Sequence, residues 1–186
     1  LIASEFMPVS LLTPIATDFG VTEGQAGHSI AISGAFAVLS SLFLLSVVGS
    51  IDRKKLLLAL TAIMVVSGAV VALAPTYEIF MVGRALIGIV IGGFWSMSAS
   101  IAMRLVPEDQ VAKALAVFNG GNAIAMVIAP PLGSFLGGMI GWRGTFFCLI
   151  PIAIIALIWQ AVSLPSLEAR RAAKPMDTFR LLGKPI

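Results

Sequence analysis

Six apolar runs, separated by short polar interruptions, set the plan of the chain. They cover residues 1–17, 26–51, 56–74, 79–103, 114–137 and 145–164. A helix needs about 20 apolar residues to cross a bilayer, and the runs cluster around that length. The interruptions have the chemistry of turns. Asp18 and Glu23 lie in the first, Asp52-Arg53-Lys54-Lys55 makes the second, and Pro75-Thr76-Tyr77-Glu78 makes the third. The fourth, 104–113, contains Pro107 and puts Glu108-Asp109 at the positive end of the next helix. Gly141-Trp142-Arg143-Gly144 is a tight fifth loop, with its aromatic expected at interface depth. The pattern predicts an all-α integral membrane bundle over 1–165 and a polar tail over 166–186. The first run is already apolar at Leu1, so we expect its helix to continue upstream.

Composition agrees with a membrane chain. Of 186 residues, 59% are hydrophobic and 11% charged, and the mean hydropathy is +1.04. A soluble chain of this size needs a far more polar surface. The formal charge of +3 points to nucleic acid only superficially. Arg53, Lys54, Lys55, Arg104, Lys113, Arg170, Arg171, Lys174, Arg180 and Lys184 all lie in the even-numbered loops or the tail, whereas the odd loops hold only Arg143. By the positive-inside rule the even side is cytoplasmic, together with the N-terminus and the tail. Within the tail, 176–182 is expected to form a short interfacial helix, because Phe179, Leu181 and Leu182 cluster beside Arg180.

The fourth run carries a full charge, Arg84, which costs about 2.5–3.5 kcal/mol to insert at mid-membrane. Stepping by four from Arg84 meets Gly88, Gly92, Ser96 and Ser100, a small polar face. Leu86, Ile87, Val90, Ile91, Phe94, Met97 and Ile101 occupy the other faces. Small faces go against protein or a cavity. Arg84 is therefore a functional candidate, or else a pin that bonds carbonyls to hold helices together.

Glu5 is the matching charge in the first run; runs two, three, five and six have none in their interiors. An odd number of helices per repeat inverts the second copy, so charges in spans one and four suggest two inverted three-helix repeats around one site. At 1.5 Å per residue, Glu5 sits about 18 Å and Arg84 about 10 Å below the outer ends of their helices. The pair is expected to meet directly or through a water. A carboxyl that alternates between burial and a facing cation can load and release a proton. The alternatives are a static pair, or a Glu5 turned to the cytoplasmic vestibule.

Other polar residues leave two readings each. Asn119 and Asn122 either bind a polar ligand or bond neighbouring helices. Trp95, with Phe94, either stacks on a flat base or packs against lipid and helices. His28 reads as a boundary histidine. Cys148 is the sole cysteine, which excludes an internal disulfide, and it reads as a small buried hydrophobe.

Several stretches resemble the major facilitator superfamily. Gly83-Arg84, followed by Gly88 and Gly92-Gly93, is similar to its fourth-helix motif. Ala125, Ala129, Pro130, Gly133 and Ser134 resemble its antiporter motif, Gly-x-x-x-Gly-Pro-x-x-Gly-Gly, with small residues replacing three glycines. The loop Asp52-Arg53-Lys54 matches only part of the second-to-third-loop signature, so it is either an incomplete gate or a plain topogenic charge cluster. Glu5-Phe6-Met7-Pro8, Gly92-Gly93-Phe94-Trp95-Ser96 and Gly141-Trp142-Arg143 narrow the resemblance to the drug:H+ antiporter branch and its bacterial purine ribonucleoside efflux pumps.

The resemblance implies the N-terminal half of a twelve-helix transporter in a bacterial inner membrane. It also implies proton-coupled efflux of a small molecule, such as a purine nucleoside, by alternating access. Efflux of drugs, sugars or amino acids by the same superfamily is the neighbouring reading. Pro130 and Pro131 remove two amides from one turn, and a helix of the missing C-terminal half is expected to cover the freed carbonyls there as an outer seal.

An enzyme is not expected. The single histidine has no Gly-x-Ser-x-Gly sequence to serve, and no metal-ligand spacing occurs. Neither a cofactor nor a metal is implied. The expected partners are lipid, a small-molecule substrate, protons and the C-terminal half, with no nucleic acid. A channel or a non-transporting six-helix protein is the rival class; dense glycine and one charge per repeat favour a moving transporter.

Overall fold

A computed structural model describes residues 1–47 and 52–165, and every regular element among them is helical. The tail at 166–186, with its expected interfacial helix at 176–182, lies outside the described residues. In order the elements are α1 (Ile2–Phe6), a 3-10 turn (Met7–Leu11), α2 (Leu12–Phe19), α3 (Glu23–Val47), α4 (Arg53–Leu73), α5 (Tyr77–Leu105), a short 3-10 turn (Glu108–Gln110) and α6 (Val111–Ser163). Four of these helical stretches are long and apolar enough to cross a membrane, where the sequence predicts six spans.

Two local features account for the difference. The first apolar run is not one helix: a 3-10 turn containing Pro8 separates α1 from α2. At the other end the loop expected at 141–144 shrinks to one non-helical residue. Gly141 adopts φ 74°, ψ 165°, which a side chain resists, so residues 111–140 and 142–163 form two helical arms of one 53-residue element. Unbroken, that element would be about 80 Å long, far beyond a hydrocarbon core of about 30 Å.

Helix ends follow local chemistry. Gly20 (φ 65°) closes α2 with its N–H on the carbonyls of Ala16 and Thr17. Thr22 opens α3 with a reciprocal cap: its hydroxyl accepts from the Gln25 N–H at 3.1 Å, and the Gln25 side chain accepts from the Thr22 N–H at 2.9 Å. Asp52 caps α4 through the Lys54 N–H, and Thr76 begins α5.

The packing is set by α5. Its small residues face α3: a Cβ on Gly88 would strike the Ser33 carbonyl, and one on Gly92 the Ala37 carbonyl. Such close approach lets backbones touch where large side chains would hold them apart. Its larger residues Ile87, Val90, Ile91, Met97 and Ile101 bury against Leu57 and Leu60 of α4. The 142–163 arm also meets α4, where Thr61 donates to the Gln160 side chain at 2.8 Å. The 111–140 arm meets the first run: a Cβ on Gly133 would lie 2.5 Å from Met7 Cγ, and one on Gly137 would strike Leu11.

One end of the bundle is closed by an aromatic cluster of Phe19, Tyr77, Phe80, Trp142 and Phe146. Trp142 is buried within this cluster. Arg143 clasps this end. It donates to Asp18 at 2.8 Å and to the carbonyls of Ala72 and Ala74 at the end of α4, with its guanidinium 4.4 Å from the Trp142 ring centre. Cys148 faces outward rather than into the core, contrary to the expectation of a buried hydrophobe.

Candidate functional site

The candidate site forms where α5 meets α3 and the first run. Arg84 is only 1% exposed, the largest fully buried side chain among the described residues. Its planar fork is spread over two other helices. Nε donates to the Ser29 carbonyl at 3.2 Å and Nη2 to the Ser33 hydroxyl at 2.9 Å, both on α3. Nη1 donates to the Ser4 carbonyl of α1 at 2.8 Å. Hydrogen bonds from a charged donor are worth about 1.5–3 kcal/mol each, so three of them offset the cost of holding the cation in apolar surroundings.

The Ser4 carbonyl is free for a covalent reason. In a continuous α-helix it would accept from the N–H of residue 8. Residue 8 is proline, which has no N–H. The chain instead enters the 3-10 turn, and Arg84 takes the exposed carbonyl. Sequence reasoning missed this link; a proline four residues after Ser4 is the signal that reveals it.

Glu5 is the next residue after Ser4, half-buried, and no ion pair within 4.0 Å joins it to Arg84. The direct meeting of the two charges expected from the sequence is therefore absent in this conformation. Arg84 grips the backbone beside Glu5 rather than the carboxylate. A narrow cavity lined by Ser4, Ser67, Arg84, Ile87 and Phe146 lies alongside. The Ser29 hydroxyl, fully buried in the same region, has no hydrogen-bond partner.

The remaining candidates are scattered. Trp95 is 43% exposed and packs edge-on to Phe118 with ring centres 5.7 Å apart, while Phe94 stacks on the same ring at 6.1 Å. The sequence reading did not single out Phe118. Asn119 is exposed, whereas Asn122 is partly buried and its Nδ2 has no partner. Arg53, at the start of α4, likewise has a buried Nε and Nη1 with no hydrogen-bond partner. Among the described residues no group of histidine, cysteine or carboxylate side chains is arranged to hold a metal.

The antiporter-like stretch is partly covered by this chain itself. Ala129 and Gly133 are buried, but the element covering Gly133 is the 3-10 turn of this same chain, at Met7 and Ser10. Ser134 is exposed and Ala125 and Pro130 are partly buried. At Gly133 the small-residue face is therefore packed within this chain. Gly133→Leu is accordingly expected to lower thermal stability by about 1–3 kcal/mol, as an overpacked contact does, without a specific proton leak. A stable but proton-leaky variant in sealed vesicles would make Gly133 part of the seal.

Comparison with known proteins fits this geometry. The family model of the Major Facilitator Superfamily matches residues 1–183. The "Transcription regulatory protein OpdE" of Pseudomonas aeruginosa is 65% identical over 98% of the chain and 46% of its own length. The "Purine ribonucleoside efflux pump NepI" is 43% identical in Shigella dysenteriae and 44% in Salmonella typhimurium, over 100% of the chain and 47% of each relative. The chain thus spans about half the length of these relatives. With a family match along nearly its whole length and membrane-spanning helices, the chain belongs to the Major Facilitator Superfamily.

Proposed function

We propose that this chain is the N-terminal half of a proton-coupled efflux transporter whose substrates are purine nucleosides or related compounds. The observation that carries the reading is Arg84, a buried cation that joins three helices through carbonyls and a hydroxyl and leaves the adjacent Glu5 unpaired with it. Glu5 is then the group that takes and gives up the proton. In the deprotonated state its carboxylate competes with the Ser4 carbonyl for the Arg84 fork; in the protonated state Arg84 returns to the carbonyl. Each exchange moves the first span relative to α3 and α5. Trp95, Phe94 and Phe118 supply flat surfaces for a base, and Asn119 and Asn122 supply amides for its edge.

The architecture we propose is six spans in two inverted three-helix repeats over 1–165, with 166–186 as a cytoplasmic linker to the C-terminal half. The packing supports it. Pairing span one with four, two with five and three with six converts the contact of the first run with the 111–140 arm into that of α5 with α3. The same exchange leaves α4 against the 142–163 arm unchanged. Both exchanged contacts are made by glycines, Gly133 and Gly137 in one and Gly88 and Gly92 in the other. Loop charge supports a cytoplasmic face at Arg53, Lys54 and Lys55 and a location in a bacterial inner membrane.

The name of the 65% identical relative suggests gene regulation instead. Sequence-independent binding to DNA rests on exposed cationic faces against phosphates. Here the described helices expose apolar side chains such as Val38, Phe43, Val127 and Trp159, which favours the transporter.

Arg84→Lys tests the reading. Lysine keeps the charge but concentrates its donors at one point, so it loses the fork that reaches Ser4, Ser29 and Ser33 together. In cells producing the full-length protein, efflux of labelled purine nucleosides is expected to fall by about tenfold or more, the effect of losing one such bond. Wild-type efflux from the lysine variant would reduce Arg84 to a point charge.

A further inference from the structure

We propose that Pro8 is a positioning residue for coupling: by lacking an N–H it keeps the Ser4 carbonyl open for Arg84, and so fixes the cation one residue from Glu5. The inference rests on the transporter reading for its consequence, but its geometry stands apart from it. Three observations converge. The helix breaks at Met7–Leu11 into a 3-10 turn with Pro8 near its start. The carbonyl that loses its α-helical donor through Pro8 is Ser4, and Ser4 is where Arg84 Nη1 lands, at 2.8 Å. Met7 and Pro8 are buried in the bundle, so the break is held by packing rather than left to solvent. Proline is confined to positions where the missing bond is tolerated, and in membrane helices freed carbonyls are re-satisfied by neighbours. Here that neighbour is a cation supplied by α5, 80 residues further along the chain.

The consequence is specific. An amide N–H at position 8 would offer Ser4 a local, neutral donor in permanent competition with Arg84. Arg84 would then hold α3 alone, and the first span would be released from the cation that senses Glu5. Ala at position 8 adds a backbone bond and raises helix propensity, but it also trims a buried side chain and takes one bond from Arg84, so stability alone does not report on the coupling. Coupling is therefore expected to follow the N–H at position 8 rather than the side chain, which a purely structural proline would not do.

The test compares two replacements in the full-length transporter that share a side chain and differ in the linkage at position 8, an amide with its N–H or an ester without it. Pro8→Ala supplies the donor; lactic acid incorporated at position 8 has the same methyl side chain with an ester oxygen in place of the N–H. In the alanine protein proton-driven transport is expected to drop by about tenfold, the effect of losing one charged hydrogen bond. The ester protein is expected to transport within about twofold of wild type. Equal transport by the two, whether both normal or both impaired, overturns the proposal. An isotope-edited infrared band of the Ser4 carbonyl gives a readout independent of transport. Its frequency is expected to shift when Arg84 is replaced by Met in the Pro8 background and to shift little in the Pro8→Ala background. An unmoved band on Arg84→Met overturns the proposal even if no substrate is found. A shifted band without proton-coupled transport by the wild type would count against the transporter reading alone.

Discussion

Replacing Glu5 by Gln in the full-length protein is expected to abolish proton-driven efflux while leaving substrate exchange across the membrane in place. Gln keeps the volume and a polar end but cannot release a proton, so it imitates the protonated state permanently. In that state Arg84 stays on the Ser4 carbonyl, and the arrangement seen here, with Arg84 bonded to Ser4, Ser29 and Ser33, becomes the only one available. Exchange of labelled for unlabelled nucleoside needs no net proton movement and should persist. The check is a pair of assays on one preparation: gradient-driven transport, which should fall to background, and exchange, which should not. A variant that transports with the wild-type pH dependence removes Glu5 from the mechanism and leaves Arg84 as an anchor.

The second large effect is on folding. Gly92→Val should prevent α3 and α5 from approaching. A Cβ there would overlap the Ala37 carbonyl oxygen and lie 2.9 Å from the Ser41 nitrogen. Both obstacles are backbone, so no side-chain rotation relieves them. The helices must separate, and separation also strips Arg84 of its two partners on α3. The cost is expected at the upper end for overpacked contacts, about 3 kcal/mol. Gly120→Val is the matched control, since nothing lies within 4 Å of a Cβ at that position. Both variants carry the same change in helix propensity, so their difference in thermal stability isolates the contact. Equal stability of the two would show that the Gly88–Gly92 face does not bring α3 and α5 together.

The sequence revealed the class and the cation more readily than the contacts. Apolar length announces membrane helices, and a charge inside such a run is costly enough to mark Arg84 without any coordinates. The four-residue ladder Gly88, Gly92, Ser96 also showed which face of α5 would approach a neighbour. Which neighbour it meets depends on tertiary geometry that periodicity does not encode. Gly133 likewise meets Met7 and Ser10 of the first run, a pairing that no local pattern announces. The loop at 141–144 was drawn too long for a related reason: one glycine at positive φ turns the backbone without any polar spacer. Burial of Trp142 follows from its partners Phe19 and Phe80 on distant segments. The role of Pro8 is visible only once Arg84 is seen on the carbonyl it frees.

The measurement that bears most directly on the account is nucleoside accumulation by the purified full-length protein in sealed proteoliposomes with an acidic interior. The account predicts that a labelled purine nucleoside accumulates inside as protons leave, and that an ionophore collapsing the pH gradient abolishes the accumulation. Uptake of the same extent with and without the gradient, accompanied by no proton movement, would contradict it.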